Sequence, residues 1–331
     1  MPRTARLDAP GTLHHVMIRG IERRHIFRNK TDRLDFLGRL EKLVPEAGIL
    51  CYGWAFLSNH AHFLFKTGHS PLSSFMRRLL TGYVVSFNRR HKRQGPLFQN
   101  RFKSIVCQED AYLKELIRYI HLNPVRAGLV KGIDGLDHYP YSGHKALVGQ
   151  LECPWFPIDE ILMLFGKNAA SGRTAYRKYV EEGLEQGRKE QLVGGGLVKK
   201  VDGWSAVEKG QSHGMSDERI LGDSEFVNAI LTQAEESLSR HYWLKAQGCD
   251  LPHLVTRAAE IFEIERDKIY SPGRQNSIVS ARSLVCFWAA RELGMSLSEL
   301  ARAFSMSVPG IGYAVARGER IAKDKNLSLD I

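Results

Sequence analysis

The sequence predicts an α+β protein whose first part is a mixed sheet and helix domain and whose last part is all helix. Two observations carry this. Over the first 130 residues, short apolar runs alternate with segments of helical spacing in the order β-α-β-β-α-β-α, and beyond the glycines at 194–196 the strand pattern stops. The first order is that of a ferredoxin-like split βαβ sheet.

Residues 12–18 form a short β-rich run, and 31–46 follow with Leu34, Leu37, Leu40, Leu43 and Val44 at helical spacing. Two aromatic-rich runs, 50–57 and 60–66, are separated only by Ser58 and Asn59, which predicts a hairpin. Residues 71–93 return to helical periodicity through Phe75, Leu79, Leu80, Tyr83, Val84 and Phe87, with arginine pairs on the other side. Residues 102–107 read as a fourth strand. Asp110 is placed to N-cap a helix through Leu113, Leu116, Ile117 and Ile120, ended by Pro124 and Gly128.

These elements set a first domain at 1–147. A helical extension and Gly-rich linker follow at 148–215, with helical pieces at 158–165 and 174–183. A helical domain occupies 216–331, with helices over 223–237, 251–262, 280–293, 296–304 and 307–317. Ser296 with Glu299 is a capping box, and Ser307 ahead of Pro309 is a second start signal. Two short helices joined by Ser305-Met306-Ser307 predict a helix-turn-helix near 296–317, a unit found both in DNA readers and in plain packing.

Charge divides the chain in the same place. The net charge is +11, but residues 1–150 carry 24 basic and 11 acidic side chains, +13, and the remainder is −2. No acid lies between Glu46 and Glu109, a window that holds Arg77, Arg78, Arg89, Arg90, Arg101 and Lys103. A one-sign stretch of this kind favours a polyanion as partner over a face that serves solubility alone. Five scattered cysteines make no CxxC pair and predict buried free thiols in a reducing compartment. No run approaches the ~18 apolar residues of a membrane span and the N-terminus has no leader-like core, so the expected location is the cytoplasm, with no membrane partner. No Gly-x-x-x-x-Gly-Lys-Ser/Thr occurs, so no ATP site is expected.

The chemistry centres on His60-Ala61-His62. On a strand, residues i and i+2 share a face, so the two imidazoles stand side by side and could ligate one divalent ion; packed histidines give the same pattern. Tyr119 and Asn123 are i, i+4 on one helix face. A phenol oxygen beside a cation-bound phosphate is a nucleophile in an in-line displacement, and an amide oxygen could complete the metal shell. Tyr112, seven residues earlier on nearly the same face, is a rival.

Ser58 through His62, Leu97 through Ser104 and Tyr119 through Leu129, together with Pro10-Gly11, His15-Val16 and Arg19-Gly20, resemble the single-tyrosine HUH transposases, especially the REP-associated tyrosine transposase branch, over about residues 1–147. The resemblance implies a bacterial ferredoxin-like domain that cleaves and rejoins single-stranded or palindromic hairpin DNA. It implies Tyr119 as nucleophile, His60 and His62 as ligands of Mg²⁺ or Mn²⁺, Asn123 as third ligand, and a 5′-phosphotyrosine intermediate. Asn100 and Ala61 depart from the family's usual glycine and bulky apolar residue. A second resemblance, at Ser271 through Arg274, Ala281-Arg282-Ser283 and Leu300 through Phe304, is to the helical DNA-binding domain of the replication initiator DnaA, without its Arg-Asp-His signature. Expected DNA contacts are Arg77, Arg78, Arg89, Arg90, Arg101 and Lys103, with Arg274, Arg282 and Arg317 in the last domain. Phe98 and Phe102 are candidates to stack unpaired bases or to fill the core. The alternatives are a domesticated DNA-binding or regulatory protein that keeps the transposase fold, and an RNA-binding module on the same sheet. Monomer and homodimer both stay open.

Overall fold

The first helix shows how this chain starts its elements. Asn29 accepts a hydrogen bond from the Asp32 amide while Asp32 bonds back to the Asn29 amide, a capping box that opens α1 (Lys30–Glu46). The computed structural model describes residue 7 and residues 11–68, 71–186, 197–200, 203–206, 217, 219–271 and 275–329. The chain divides into two compact units, Met1–Leu231 and Thr232–Ile331: an N-terminal mixed β/α unit and a largely α-helical C-terminal one.

In the first unit β1 (Leu13–Arg19) precedes α1, and β2 (Leu50–Phe56), β3 (His60–Lys66), α2 (Leu72–Arg90), β4 (Lys103–Cys107) and α3 (Glu109–His121) follow. Short helices come next: α4 (Asn123–Arg126), α5 (Gly132–Asp137), α6 (Gly143–Leu147) and α7 (Ile158–Met163), then the longer α8 (Ala169–Glu182). β5 (Leu197–Lys200) and β6 (Gly203–Ala206) pair as a hairpin, and β7 (Ile220–Leu221) leads to α9 (Ser224–Ala246). The sheet runs β2-β3-β1-β4-β7. β1 is antiparallel to both β3 and β4, and β7 adds to β4 in parallel. Neither this fifth strand nor the β5–β6 pair was foreseen, since only helix was expected beyond residue 196; strands of two and four residues are too short to show a period. Asp110 is not the N-cap of α3. Gln108 is, and Asp110 joins Glu109 in the first turn, where a carboxylate favours the helix dipole.

Alternation along the strands gives each face its own helices. Phe63 packs on Phe36 of α1 and Phe65 on Phe75 of α2, with ring centroids 5.9 and 5.2 Å apart. The opposite face, with His62 and Leu64, takes α3: a methyl group at Gly53, which pairs with Leu64, would lie 3.9 Å from the Cα of Ile117. The expected extension from 148 packs into this same core, with Cys153, Phe156, Ile161, Leu162, Tyr176 and Val180 buried. The glycines at 194–196 lie outside the described residues. All five cysteines are free and buried, and burial pushes the Cys107 thiol up to about 12. Among the described residues no helix is long and apolar enough to cross a membrane.

The second unit contains α10 (Leu251–Ile261), α11 (Arg266–Tyr270), α12 (Asn276–Arg291), α13 (Leu297–Ala303) and α14 (Val308–Asp324). Leu254, Leu284, Val285, Trp288, Leu300 and Ile311 are in its core. Gly318 lets α14 approach α12, since a methyl group there would fall 1.9 Å from the Ser283 carbonyl oxygen. The Ser296–Glu299 capping box forms, Ser307 caps α14 through the Gly310 amide, and Ser305 turns the chain between them at φ 51°.

One buried ionic cluster ties α1 to the end of α2. Asp32, fully buried, accepts from the Arg28 amide at 2.8 Å, from His91 Nε2 at 2.9 Å and from Arg90, whose second nitrogen bonds Asp35 at 2.8 Å. Burial alone would raise the Asp32 carboxyl, but the hydrogen bonds from His91, the Arg28 amide and Arg90 outweigh it and hold the group below its ordinary value. A depressed carboxyl stabilises the fold above its unfolded pKa and loses that stabilisation as pH falls through the folded value. Asp32→Asn is therefore expected to cost about 3 kcal/mol at pH 7 and to flatten the loss of stability below about pH 4. Urea unfolding at pH 7 and pH 3 measures both, and wild-type stability at pH 7 would remove the assigned role.

Candidate active site

The register of β1 against β3 builds the site. Met17 lies opposite His62 and Arg19 opposite His60, so His15, two residues before Met17, shares their face. His15 Nε2 and His62 Nδ1 are 3.0 Å apart, with the rings stacked at 5.3 Å. His60 and His62 stand with centroids 5.3 Å apart, and His60 Nδ1 lies 2.6 Å from Asn59 Oδ1 at the hairpin turn. α3 lays Tyr119 edge-on against this cluster, 5.8 Å from the His15 ring and 6.1 Å from the His62 ring. The structure thus brings His60, His62 and Tyr119 together. It adds His15, which sequence reasoning missed because its partners come from a strand 47 residues away.

Two groups follow Tyr119 on its own chain. The Arg126 guanidinium lies 5.1 Å over its ring and donates to the Tyr119 carbonyl oxygen at 3.4 Å. Asn123 falls beyond the last residue of α3 and turns its amide nitrogen back onto the carbonyl oxygens of Tyr119 and Ile120, at 3.0 and 3.3 Å. Only its Oδ1 could serve a cation. The rival Tyr112 is fully buried, and burial, then the negative charge of Asp223, push its phenol up to about 12; such a group gives up its proton poorly.

The donor set fits a divalent ion. Asn59 Oδ1 accepts from His60 Nδ1, the outer hydrogen bond that metal-bound imidazoles commonly carry, and His15 stands in the same relation to His62. An ion would therefore use the Nε2 atoms. Among the described residues, no group of three or more His, Cys, Asp or Glu side chains is placed to hold a metal, so a third protein ligand would be of another type, such as the amide of Asn123. Imidazole donors suit Mn²⁺ better than Mg²⁺.

The expected DNA contacts separate into two sets. Arg77 and Arg101 are exposed and line a cleft of about 510 Å³ between α2 and residues 96–102, whose walls include Leu80, Val84, Phe98 and Phe102. Phe98 and Phe102 are half-buried against the core. Arg89 is exposed, and Lys103, also exposed, pairs with Met17 across β1 in the row that contains His62. Arg78 is exposed as well, in a surface pair with Glu46 at 2.7 Å. Two expected contacts are corrected. Arg90 is held by Asp32 and Asp35. Arg282 is buried and donates to the carbonyl oxygens of Ile269, at 2.7 Å, and Ser271. Arg317 is exposed on α14, and Arg274 lies outside the described residues.

A sheet face with paired imidazoles beside a helix-borne tyrosine has the makings of a phosphoryl-transfer site. Residues 11–123, which lie within the first unit, match the family described as transposase, IS200-like. A solved structure of the REP-associated tyrosine transposase bound to a REP hairpin is similar at 19% identity and a TM-score of 0.39, over 48% of this chain and 90% of that one. No curated protein matches the chain.

The correction at Arg282 is testable beside Arg317. Arg282→Ala leaves the buried Ile269 carbonyl without this donor and is expected to cost about 2 kcal/mol, whereas Arg317→Ala should stay within about 0.5 kcal/mol. Thermal unfolding of both variants checks this, and equal melting temperatures would refute it.

Proposed function

We propose that this protein is a metal-dependent DNA transposase that cleaves and rejoins single-stranded or hairpin DNA. The observation that carries the reading is Tyr119 lying edge-on to His15 and His62 within the segment that matches the IS200-like family. The ferredoxin-like split βαβ sheet is supported by the order β2-β3-β1-β4 with β1 antiparallel to both neighbours. The Tyr119 oxygen attacks a phosphorus, the bond to the 3′ oxygen breaks, and a 5′-phosphotyrosine and a free 3′-hydroxyl result. One phosphodiester is exchanged for another, so the step needs no ATP. His60, His62 and the Asn123 oxygen would hold Mg²⁺ or Mn²⁺, which when bound would supply charge neutralisation at the phosphate. His15 and Asn59 fix the two imidazole rings, and Arg126 fixes the tyrosine ring. Arg77, Arg89, Arg101 and Lys103 hold the DNA backbone by charge, with affinity falling as salt rises. Half-buried Phe98 and Phe102 give the cleft an aromatic wall against which an unpaired base can stack.

The second unit belongs to the same reading as a helix-turn-helix that contacts duplex DNA. Its support is the outward face of α14, where Tyr313 is 70% exposed beside exposed Arg317 and Arg320. The protein acts in the cytoplasm. A second reading, a DNA-binding or regulatory protein that keeps the transposase fold, draws on the burial of Tyr119, which is 2% exposed.

Incubation with Mn²⁺ and a labelled hairpin bearing single-stranded flanks separates the two. The wild type is expected to form a covalent protein–DNA adduct, Tyr119→Phe to form none, and Tyr112→Phe to stay within about threefold of wild type. Adduct formation by Tyr119→Phe at the wild-type rate would sink the nucleophile assignment; binding without an adduct in the wild type favours the second reading. His15→Ala is expected to weaken Mn²⁺ binding about tenfold, read by electron paramagnetic resonance titration of free Mn²⁺; unchanged affinity would show that His15 does not orient His62.

A further inference from the structure

Arg118 and His121, which bracket Tyr119 on α3, are both fastened to α8. The Arg118 guanidinium lies 4.1 Å over the Tyr179 ring, donates to the Tyr179 carbonyl oxygen at 3.4 Å, and bonds Gln186 Oε1 at 3.0 Å and Glu115 Oε2 at 2.6 Å. Tyr179 Oη closes the loop by donating to the same Glu115 oxygen at 3.0 Å.

The second fastening is a buried chain. His121 Nδ1 lies 2.7 Å from Tyr176 Oη, which lies 2.8 Å from His144 Nδ1. His144 Nε2 lies 2.7 Å from Asp137 Oδ1, and Arg177 Nε donates to Asp137 Oδ2 at 2.9 Å. Burial opposes charge on Asp137, but its bonds to His144 and Arg177 prevail and hold it below its ordinary value. An ionised Asp137 accepts from His144 Nε2–H, so His144 Nδ1 accepts from Tyr176 Oη–H, and Tyr176 in turn accepts from His121 Nδ1–H. One proton order satisfies the chain from end to end. It leaves His121 Nε2 a bare acceptor, and that atom is buried without a partner among the described residues, as is the indole N–H of Trp54. Both side chains meet at Gly143, where a methyl group would fall 2.9 Å from His121 Nε2 and 3.2 Å from Trp54 Cδ1. The last turn of α3 is thus seated in a closed polar socket.

We propose that α8, with Asp137 and His144 ahead of it, is a clamp that positions the nucleophile, making Tyr176 and Tyr179 positioning residues for cleavage. The proposal rests on the reading of Tyr119 as the nucleophile. Tyr119 faces the imidazoles of the sheet while its neighbours at 118 and 121 face α8, so the clamp decides where along the sheet the tyrosine stands. In-line attack tolerates little error, and a misplacement of about 1 Å can cost about a hundredfold in rate. The clamp residues at 137–186 lie outside the segment 11–123 that matches the transposase family, which ties the chain beyond that segment to the chemistry.

The test uses the full-length protein, Mn²⁺ and the hairpin substrate, with Tyr176→Phe, Tyr179→Leu and Tyr179→Phe. Tyr176→Phe is nearly isosteric and removes the hydroxyl that both histidines share. Tyr179→Leu removes the ring under Arg118, whereas Tyr179→Phe keeps it. The expected result is that hairpin affinity stays within about twofold in all three, while the single-turnover rate of adduct formation per folded molecule falls about tenfold in Tyr176→Phe and Tyr179→Leu and recovers to within about threefold of wild type in Tyr179→Phe. The rates are read well below the melting temperature, with the folded fraction taken from near-ultraviolet circular dichroism. Wild-type rates per folded molecule in Tyr176→Phe would overturn the clamp even if Tyr179→Leu failed to fold. No adduct from the wild type on any DNA would remove the nucleophile reading and the clamp with it; unaffected variants beside an active wild type would remove the clamp alone.

Discussion

The antiparallel register between β1 and β3 is the constraint on which the site depends. Because Met17 sits opposite His62, the imidazoles of His15, His60 and His62 share one face, and Lys103 reaches that face from β4 across the same Met17. A slip of one residue would send the β1 side chains to the other face and separate His15 from His62. The buried Val16 and Ile18 of β1 guard against such a slip, since they lie opposite Phe63 and Ala61 on the face turned away from the three histidines. The apolar face thus selects the register, and the polar face inherits it. Burying imidazoles is unfavourable unless each finds a partner, and the strands provide them on both sides: His15 with His62, and on the opposite face His14 with Thr12 Oγ1 at 2.7 Å and Ser104 Oγ at 3.0 Å.

What could be read in advance was what local spacing decides. The pairing of His60 with His62 follows from the period of a strand, and the placing of Tyr119 on a buried helix face from the period of α3. Asn123 shows where that logic stops. Its i, i+4 relation to Tyr119 assumed one continuous helix, but α3 ends at His121, and the Asn123 amide turns back onto the carbonyls that the ending helix leaves open. The start of α3 fails for a related reason: Asp110 looked like the cap, but the cap position falls to Gln108, whose side chain bonds Asp223, 115 residues away. His15 and β7 were hidden because both are defined by a partner strand.

The arginines are the clearest case of a property that composition misstates. The window from 47 to 108 contains no acid, yet acids flanking it enter from both sides: Asp32 and Asp35 take Arg90, Glu46 takes Arg78, and Glu109 takes Lys66 at 2.7 Å. Part of the positive count therefore holds α1 against α2 and β3 against α3. Arg90 costs more to detach than an exposed cation, because Asp32 would be left buried and without that partner. The charge that stays outward is smaller than the sequence suggests, but it includes Arg77 and Arg101, which line an apolar, aromatic-walled cleft.

The same argument separates the two units. In the first, cations lie near a cleft and a polar sheet face, so affinity for a polyanion does not need a high local charge in the second. Arg282, the most basic-looking feature of the second unit's resemblance, is consumed in stitching α12 to the carbonyls that end α11, and burial opposes its charge, lowering its affinity for the proton. The outward face of α14 has a different make-up, an exposed tyrosine with exposed arginines one and two turns on. A surface of that kind binds through fit and a few directed contacts more than through net field. In the proposed reading, the second unit therefore contributes directed contacts rather than net charge.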